Sequence, residues 1–159
     1  MAILKRSRSK AKAFEDGDAL ITALYIEIYL DAAGVQDSGV YNADLSAEIT
    51  GAIVAWHSMV HHWFDGDWDE EAVFARLTGI WTFGASRIWY LGLYNNPERQ
   101  NAMYLWQLGA TTEHCSTCSS ANGQTKTIAE WSALNIMPQG DSLECGGYFC
   151  DCSLSEVTT

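Results

Sequence analysis

Leu45, Ile49, Ile53, Trp56, Val60 and Trp63 recur every three or four residues, a spacing that lays large apolar side chains along one face of an α-helix. A strand would throw alternate members of that set to opposite faces, so the segment predicts a helix that buries its stripe against other helices. Asp65-Gly66 ends the pattern. Upstream, Asp18 is expected to cap a helix reaching about Ala33, with Ile21, Leu24, Tyr25 and Ile28 on one stripe and Gly34 as its stop. A turn-rich stretch, Val35 to Asn42, separates the two. Downstream, Asp67 or Asp69 opens a third helix, whose first turn carries Glu70 and Glu71, where carboxylates complement the helix dipole. Val73, Leu77, Ile80, Gly84, Ile88 and Leu91 form its seam. Gly79, Gly84 and Gly92 each cost about 1 kcal/mol relative to Ala, which points to close helix–helix approach. Asn95-Asn96-Pro97 ends the helical region.

The character changes after Pro97. Met103 to Leu108 reads as a strand, followed by a loop of small residues and cysteines. Thr127 and Glu130 have capping-box spacing ahead of a short helix, Ile128 to Leu134, and a closing strand is expected over Tyr148 to Leu154. The chain therefore reads as mainly α. A basic flexible arm (1–16) precedes a helical body of about three helices (17–97) and a small α+β module (98–159) built on a β-hairpin.

Charge narrows the function classes. The chain has 159 residues, 48% of them hydrophobic and only two of them proline, enough for one globular core. Its 9 Lys and Arg against 20 Asp and Glu give a net charge of −11. Lys5, Arg6, Arg8, Lys10 and Lys12 lie at the start, so the remainder is strongly acidic and repels phosphate. A nucleic-acid-binding body is excluded, which leaves a weak DNA contact through the arm. Glu27 and Asp31 interrupt the best apolar run, Ala19 to Leu30, short of the ~20 residues that span a bilayer. Glu15, Asp16 and Asp18 occupy the place of a signal peptide's apolar core, so a reducing cytoplasm is expected. Trp63, Trp68, Trp81, Trp89 and Tyr90 exceed what one three-helix core can face, which predicts contacts with neighbouring subunits, in a homo-oligomer or a larger assembly.

All five cysteines fall between residues 115 and 152. Cys115-Ser-Thr-Cys118 can aim two thiolates from one tight turn at a single ion, and a distant second pair completes the tetrahedron that zinc prefers. That second pair comes from Cys145, Cys150 and Cys152. Cys145 and Cys150 are favoured because Gly146 and Gly147 let the backbone fold round a metal, with His114 or Cys152 in reserve. A disulfide among them is the alternative. A redox-active pair would need Cys115 at a helix N-terminus, whereas Ser119 to Gly123 reads as a turn. A zinc deaminase needs an upstream His-x-Glu or Cys-x-Glu, and the chain has neither.

Other clusters read as structural. His57 and His61 have chelating i, i+4 spacing, but position 58 is Ser where a metalloprotease helix carries Glu, so they read as the polar edge of an aromatic helix. Asp65, Asp67, Asp69, Glu70 and Glu71 lack calcium-loop spacing and read as a solvated helix start. The chain has no phosphate loop, nucleophile elbow or paired acid/base motif, and no catalytic residue is assigned.

The order of motifs in the last third is Leu105-Trp106-Gln107-Leu108-Gly109, Glu113 to Cys118, Asn122-Gly123-Gln124, Trp131, Leu143 to Tyr148, then Cys150-Asp151-Cys152-Ser153-Leu154. It resembles the C-terminus of tailed-bacteriophage head-morphogenesis, or minor head, proteins. The matching positions are Trp106, Cys115, Cys118, Gly123, Cys150 and Cys152. Where many relatives carry His-Pro ahead of Cys-Arg-Cys, this chain has Cys145 and Asp151, which makes Cys145 a replacement ligand. The resemblance implies a virion structural or assembly protein, not an enzyme, that meets head and portal proteins and lies in the virion after assembly in the host cytoplasm. A free-standing cytoplasmic zinc-binding adaptor is the second reading, and a hydrolase or thiol oxidoreductase the third.

Overall fold

The computed structural model describes residues 9–35, 43–140, 142–147 and 150–157. The body consists of α1 (Lys10–Ala33), α2 (Ala43–Asp65), α3 (Glu70–Thr78) and α4 (Ala85–Asn95), with α3 and α4 joined by a π-helical turn, Gly79–Gly84. Then come β1 (Met103–Gln107), α5 (Ser116–Ala121), β2 (Thr125–Thr127), α6 (Ile128–Ala133) and β3 (Ser153–Glu156). β1 is the centre of a three-stranded antiparallel sheet ordered β2-β1-β3, with Leu105 opposite Thr125 on one side and Ser155 on the other. Among the described residues, no helix is long and apolar enough to cross a membrane.

Local signals placed several elements correctly. Leu45, Ile49, Trp56 and Val60 are buried along α2, and Asp69 caps α3 by accepting from the Ala72 N–H at 2.9 Å. Thr127 and Glu130 form the reciprocal capping box of α6. The hairpin, in contrast, is replaced by a three-stranded sheet in which β1 pairs with two strands, neither joined to it by a tight turn. β2 has only three residues and runs straight into the capping box, so it leaves no alternating pattern to read. The closing strand is Ser153–Glu156, beyond Cys150 and Cys152. Tyr148, at the start of the expected strand, and all but the first residue of the expected turn from Val35 to Asn42 lie outside the described residues.

The expected arm is also corrected. Helix α1 starts at Lys10, about two turns before Asp18, with Ser9 as the N-cap. Packing on α2 is the reason. Ala13 is fully buried, its carbonyl accepts from Trp56 Nε1 at 3.2 Å, and a Cβ on Gly17 would come within 1.9 Å of that indole nitrogen. Phe14 packs against His57, with ring centroids 4.4 Å apart. Lys10 and Lys12 therefore belong to the body, where Lys10 pairs with Asp65, and Lys12 with Asp16 at 2.7 Å and Glu15 at 3.3 Å. Lys5, Arg6 and Arg8 lie outside the described residues.

α1 approaches the π turn closely at Gly84 and α4 closely at Gly92. A Cβ on Gly84 would lie 1.8 Å from the Tyr25 hydroxyl, and one on Gly92 would lie 2.6 Å from Ala32 Cβ. The π turn shifts the backbone register here, and the Tyr25 hydroxyl donates to the Ile80 carbonyl at 2.7 Å. Burial pushes the Tyr25 phenol up to about 12, so it remains a donor across the neutral range.

Two cores result. Ile21, Tyr25, Tyr29, Leu45, Trp56 and Ile88 belong to the first, inside the helices. The second combines Ala32, Tyr90 and Leu93 from the helices with Tyr104, Trp106, Cys118, Ile128 and Trp131. This division distributes the aromatic surplus over two cores. Trp63, Trp68 and Trp81 pack, partly buried, against the first core, Trp89 packs in the same way against the second, and Tyr90 is buried in the second.

Substituting Gly84→Ala should destabilise the protein by about 2–4 kcal/mol, through overpacking and loss of the Tyr25–Ile80 bond. Gly51→Ala, in α2 with nothing within 4 Å of the added Cβ, should be neutral or stabilising by up to about 1 kcal/mol. Urea unfolding of both, followed by circular dichroism, checks this, and equal shifts would refute the close approach. The backbone N–H and hydroxyl of Thr127 hold the Glu130 carboxyl below its ordinary 4.5. Its cap contribution should be complete above that ordinary value and disappear as pH falls through the lower folded one, with a carboxyl NMR titration midpoint below 4.5 as the check.

Candidate metal centre

Three short segments bring the five cysteines together. Cys115 is the N-cap of α5, and its sulfur accepts from the Cys118 N–H at 3.4 Å. This corrects the turn expected after Cys118. Serines and threonines dominate 116–121, but Cys118 and Ala121 lie three apart, both are buried in the second core, and that burial supports a helical turn. The second segment, 143–147, folds back through Gly146 and Gly147 at φ of 62° and 75°. A Cβ at Gly147 would also lie 2.3 Å from the Gln139 carbonyl oxygen. The third, 150–152, is held by Gln139, whose side-chain amide donates to the Cys152 carbonyl at 2.6 Å.

The sulfurs gather as two triads that share Cys118. Cys115, Cys118 and Cys145 lie within 4.8 Å of one another, as do Cys118, Cys150 and Cys152. The Cys118–Cys150 sulfur separation is 3.7 Å. A third donor group, His114, Asp151 and Cys152, adjoins them, with His114 Nδ1 4.0 Å from Cys152 Sγ. This arrangement can hold a metal ion. Cys118, Cys150 and Cys152 are buried while Cys115 and Cys145 are half-buried, and a cavity of about 90 Å³ opens on the cluster beside Thr111, Glu113 and His114.

Acidic side chains brace the loops. The Glu144 carboxylate accepts from the Ser116 N–H at 2.8 Å and from its hydroxyl at 2.5 Å, tying the second segment to the start of α5. Asp151 accepts from the Thr111 N–H at 2.9 Å and hydroxyl at 2.8 Å. These bonds hold both carboxyls below the usual carboxylate range. Neither brace was legible in the sequence, because each joins loops about thirty or more residues apart.

The thiols differ in acidity. Burial raises the Cys118, Cys145 and Cys152 thiols. Burial also works upward on Cys115, but hydrogen bonds from Cys118 and Cys145 outweigh it and leave this thiol below its ordinary value. His57 and His61 belong to no donor group among the described residues. His57 bonds Asp18 at 2.8 Å, as expected of a polar helix edge. The sequence reading also missed a cleft of about 560 Å³ lined by Asp44, Glu48, Arg87, Tyr94 and Asn135 among others, where Arg87 pairs with Glu48 at 3.3 Å. Its walls come from distant stretches that share no motif.

In reduced, metal-free protein, a thiol alkylating agent should modify Cys115 before Cys118. Peptide mapping by mass spectrometry at short times checks the order, and faster labelling of Cys118 would contradict the placement. Comparison with protein-family models, with curated proteins and with solved structures finds no match for this chain.

Proposed function

We propose that the chain is a structural or assembly protein of a tailed-phage particle, of minor head type, whose C-terminal module is fastened by structural zinc. The observation that carries the zinc reading is the convergence of the other four thiols on Cys118. The donors fit the metal. Zn–S bonds of about 2.3 Å in a tetrahedron put sulfurs about 3.8 Å apart, and Cys118 and Cys150 stand at 3.7 Å. An all-thiolate set suits a closed, structural site. Bound there, zinc would link α5, the 143–147 turn and the segment entering β3, replacing core that so small a module lacks.

The phage reading rests on the motif order from Trp106 to Cys152 and is compatible with the chain's net charge of −11. Mass spectrometry of purified particles from the phage that encodes the chain should find it at fixed copy number beside portal and head proteins. Absence from such particles would favour the free-standing zinc adaptor.

Zinc removal should loosen residues 105–154 while most helical circular dichroism, which comes from α1 to α4, is retained. Metal analysis of reduced protein that finds no zinc would overturn the zinc reading. Gly109→Ala should weaken zinc binding about 10–100-fold, as expected for disturbing a group that braces metal ligands. Its added Cβ would lie 2.0 Å from Asp151 Cγ, between Cys150 and Cys152 in the chain. Competition with a chromophoric chelator measures the change.

A further inference from the structure

Five thiols exceed the four places round one tetrahedral ion, and they gather about two points. We propose that the module holds two divalent ions bridged by the Cys118 thiolate. Cys115, Cys118 and Cys145 bind the first, and Cys118, Cys150, Cys152 and His114 bind the second. This rests on the zinc reading above but makes a separate claim about stoichiometry and geometry.

Cys118 alone belongs to both sulfur triads, and it is 1% exposed, so both ions would sit in the second core's margin. A thiolate sulfur has lone pairs enough for two soft ions. His114 shares a donor group with Cys152 but not with Cys118 or Cys150, so it would close on the second ion from its place 4.0 Å from Cys152 Sγ, whereas both oxygens of neighbouring Asp151 are engaged by Thr111. The first ion keeps one place for water. The cavity of about 90 Å³, lined by Cys115, Cys118 and Cys145 and also by Cys150 and His114, has room for it, a water's share of liquid volume being about 30 Å³. Charge favours the pair as well. Two divalent ions on five thiolates and a neutral imidazole carry a formal charge of about −1, against about −2 for one ion on four thiolates, and less buried charge costs less desolvation. That difference matters in a chain of net charge −11.

The test is an anaerobic titration of the reduced, metal-free full-length chain with Co(II), read by thiolate-to-cobalt charge-transfer absorption and by electron paramagnetic resonance. Absorption should rise to two equivalents, and the resonance signal should fall as the second ion couples to the first through the shared sulfur. His114→Ala and Cys145→Ser, at half-buried positions, should each reduce tightly bound cobalt from two equivalents to one without disturbing the helical circular dichroism. A single equivalent in the unaltered chain would overturn the two-ion proposal and leave the zinc reading intact. No binding would overturn both, and two equivalents with an undiminished resonance signal would overturn the bridge.

Discussion

The contact between Tyr25 and the π turn holds the rest of the molecule in position. The Tyr25 hydroxyl fills the space that a side chain at Gly84 would need and satisfies the Ile80 carbonyl. It thereby fixes α4 against α1, and that pair of helices closes at Gly92 and Ala32. Ala32, Tyr90 and Leu93 then present a continuous apolar floor, on which Trp106 and Trp131 pack with ring centroids 5.3 Å apart. Without that floor the small sheet would have little to bury.

Polar ties reinforce the packing among the helices, within the module and between the two. The Tyr90 hydroxyl accepts from the Leu154 N–H at 3.1 Å, and the Asn96 side chain donates to the Ala32 carbonyl at 2.9 Å. Trp131 Nε1 donates to the Tyr104 carbonyl at 3.1 Å, which anchors α6 to β1. Each is a single hydrogen bond worth about 1 kcal/mol, so area burial dominates and these bonds fix register. The cysteine cluster is part of this second core, with Cys118, Cys150 and Cys152 inside it and Cys115 and Cys145 packed against it. The Cys118, Cys150 and Cys152 thiols are buried there, whereas Cys115 and Cys145 are half-buried.

Electrostatics explains why a chain so acidic stays compact. Lys10 and Lys12 are drawn into α1 and pair with Asp65, Asp16 and Glu15. Glu144 and Asp151 are neutral neither in charge nor in role: each closes a loop on backbone and hydroxyl donors near the thiols. Thiolates in a cluster would repel one another and these carboxylates, and a divalent cation relieves that repulsion. A metal ion held there would supply the positive charge that the cluster lacks.

Periodicity and capping residues were sufficient for α2, the start of α3 and α6, because those elements are set by neighbours within four residues. The Cys-x-x-Cys spacing likewise marked the candidate metal centre. The start of α1 was not legible, since Ala13 and Gly17 look unremarkable until Trp56 packs on them from another helix. The helical form of 116–121, the strand at 125–127 and the two-triad arrangement of the thiols were hidden for the same reason. The sequence by itself determined the stripes of the long helices, the cysteines that can bind a metal and how the charge is divided. Only the tertiary structure decided how the cores divide the aromatics and which sulfur lies at the centre, because those depend on contacts between residues distant in the chain, whose energies local patterns do not encode.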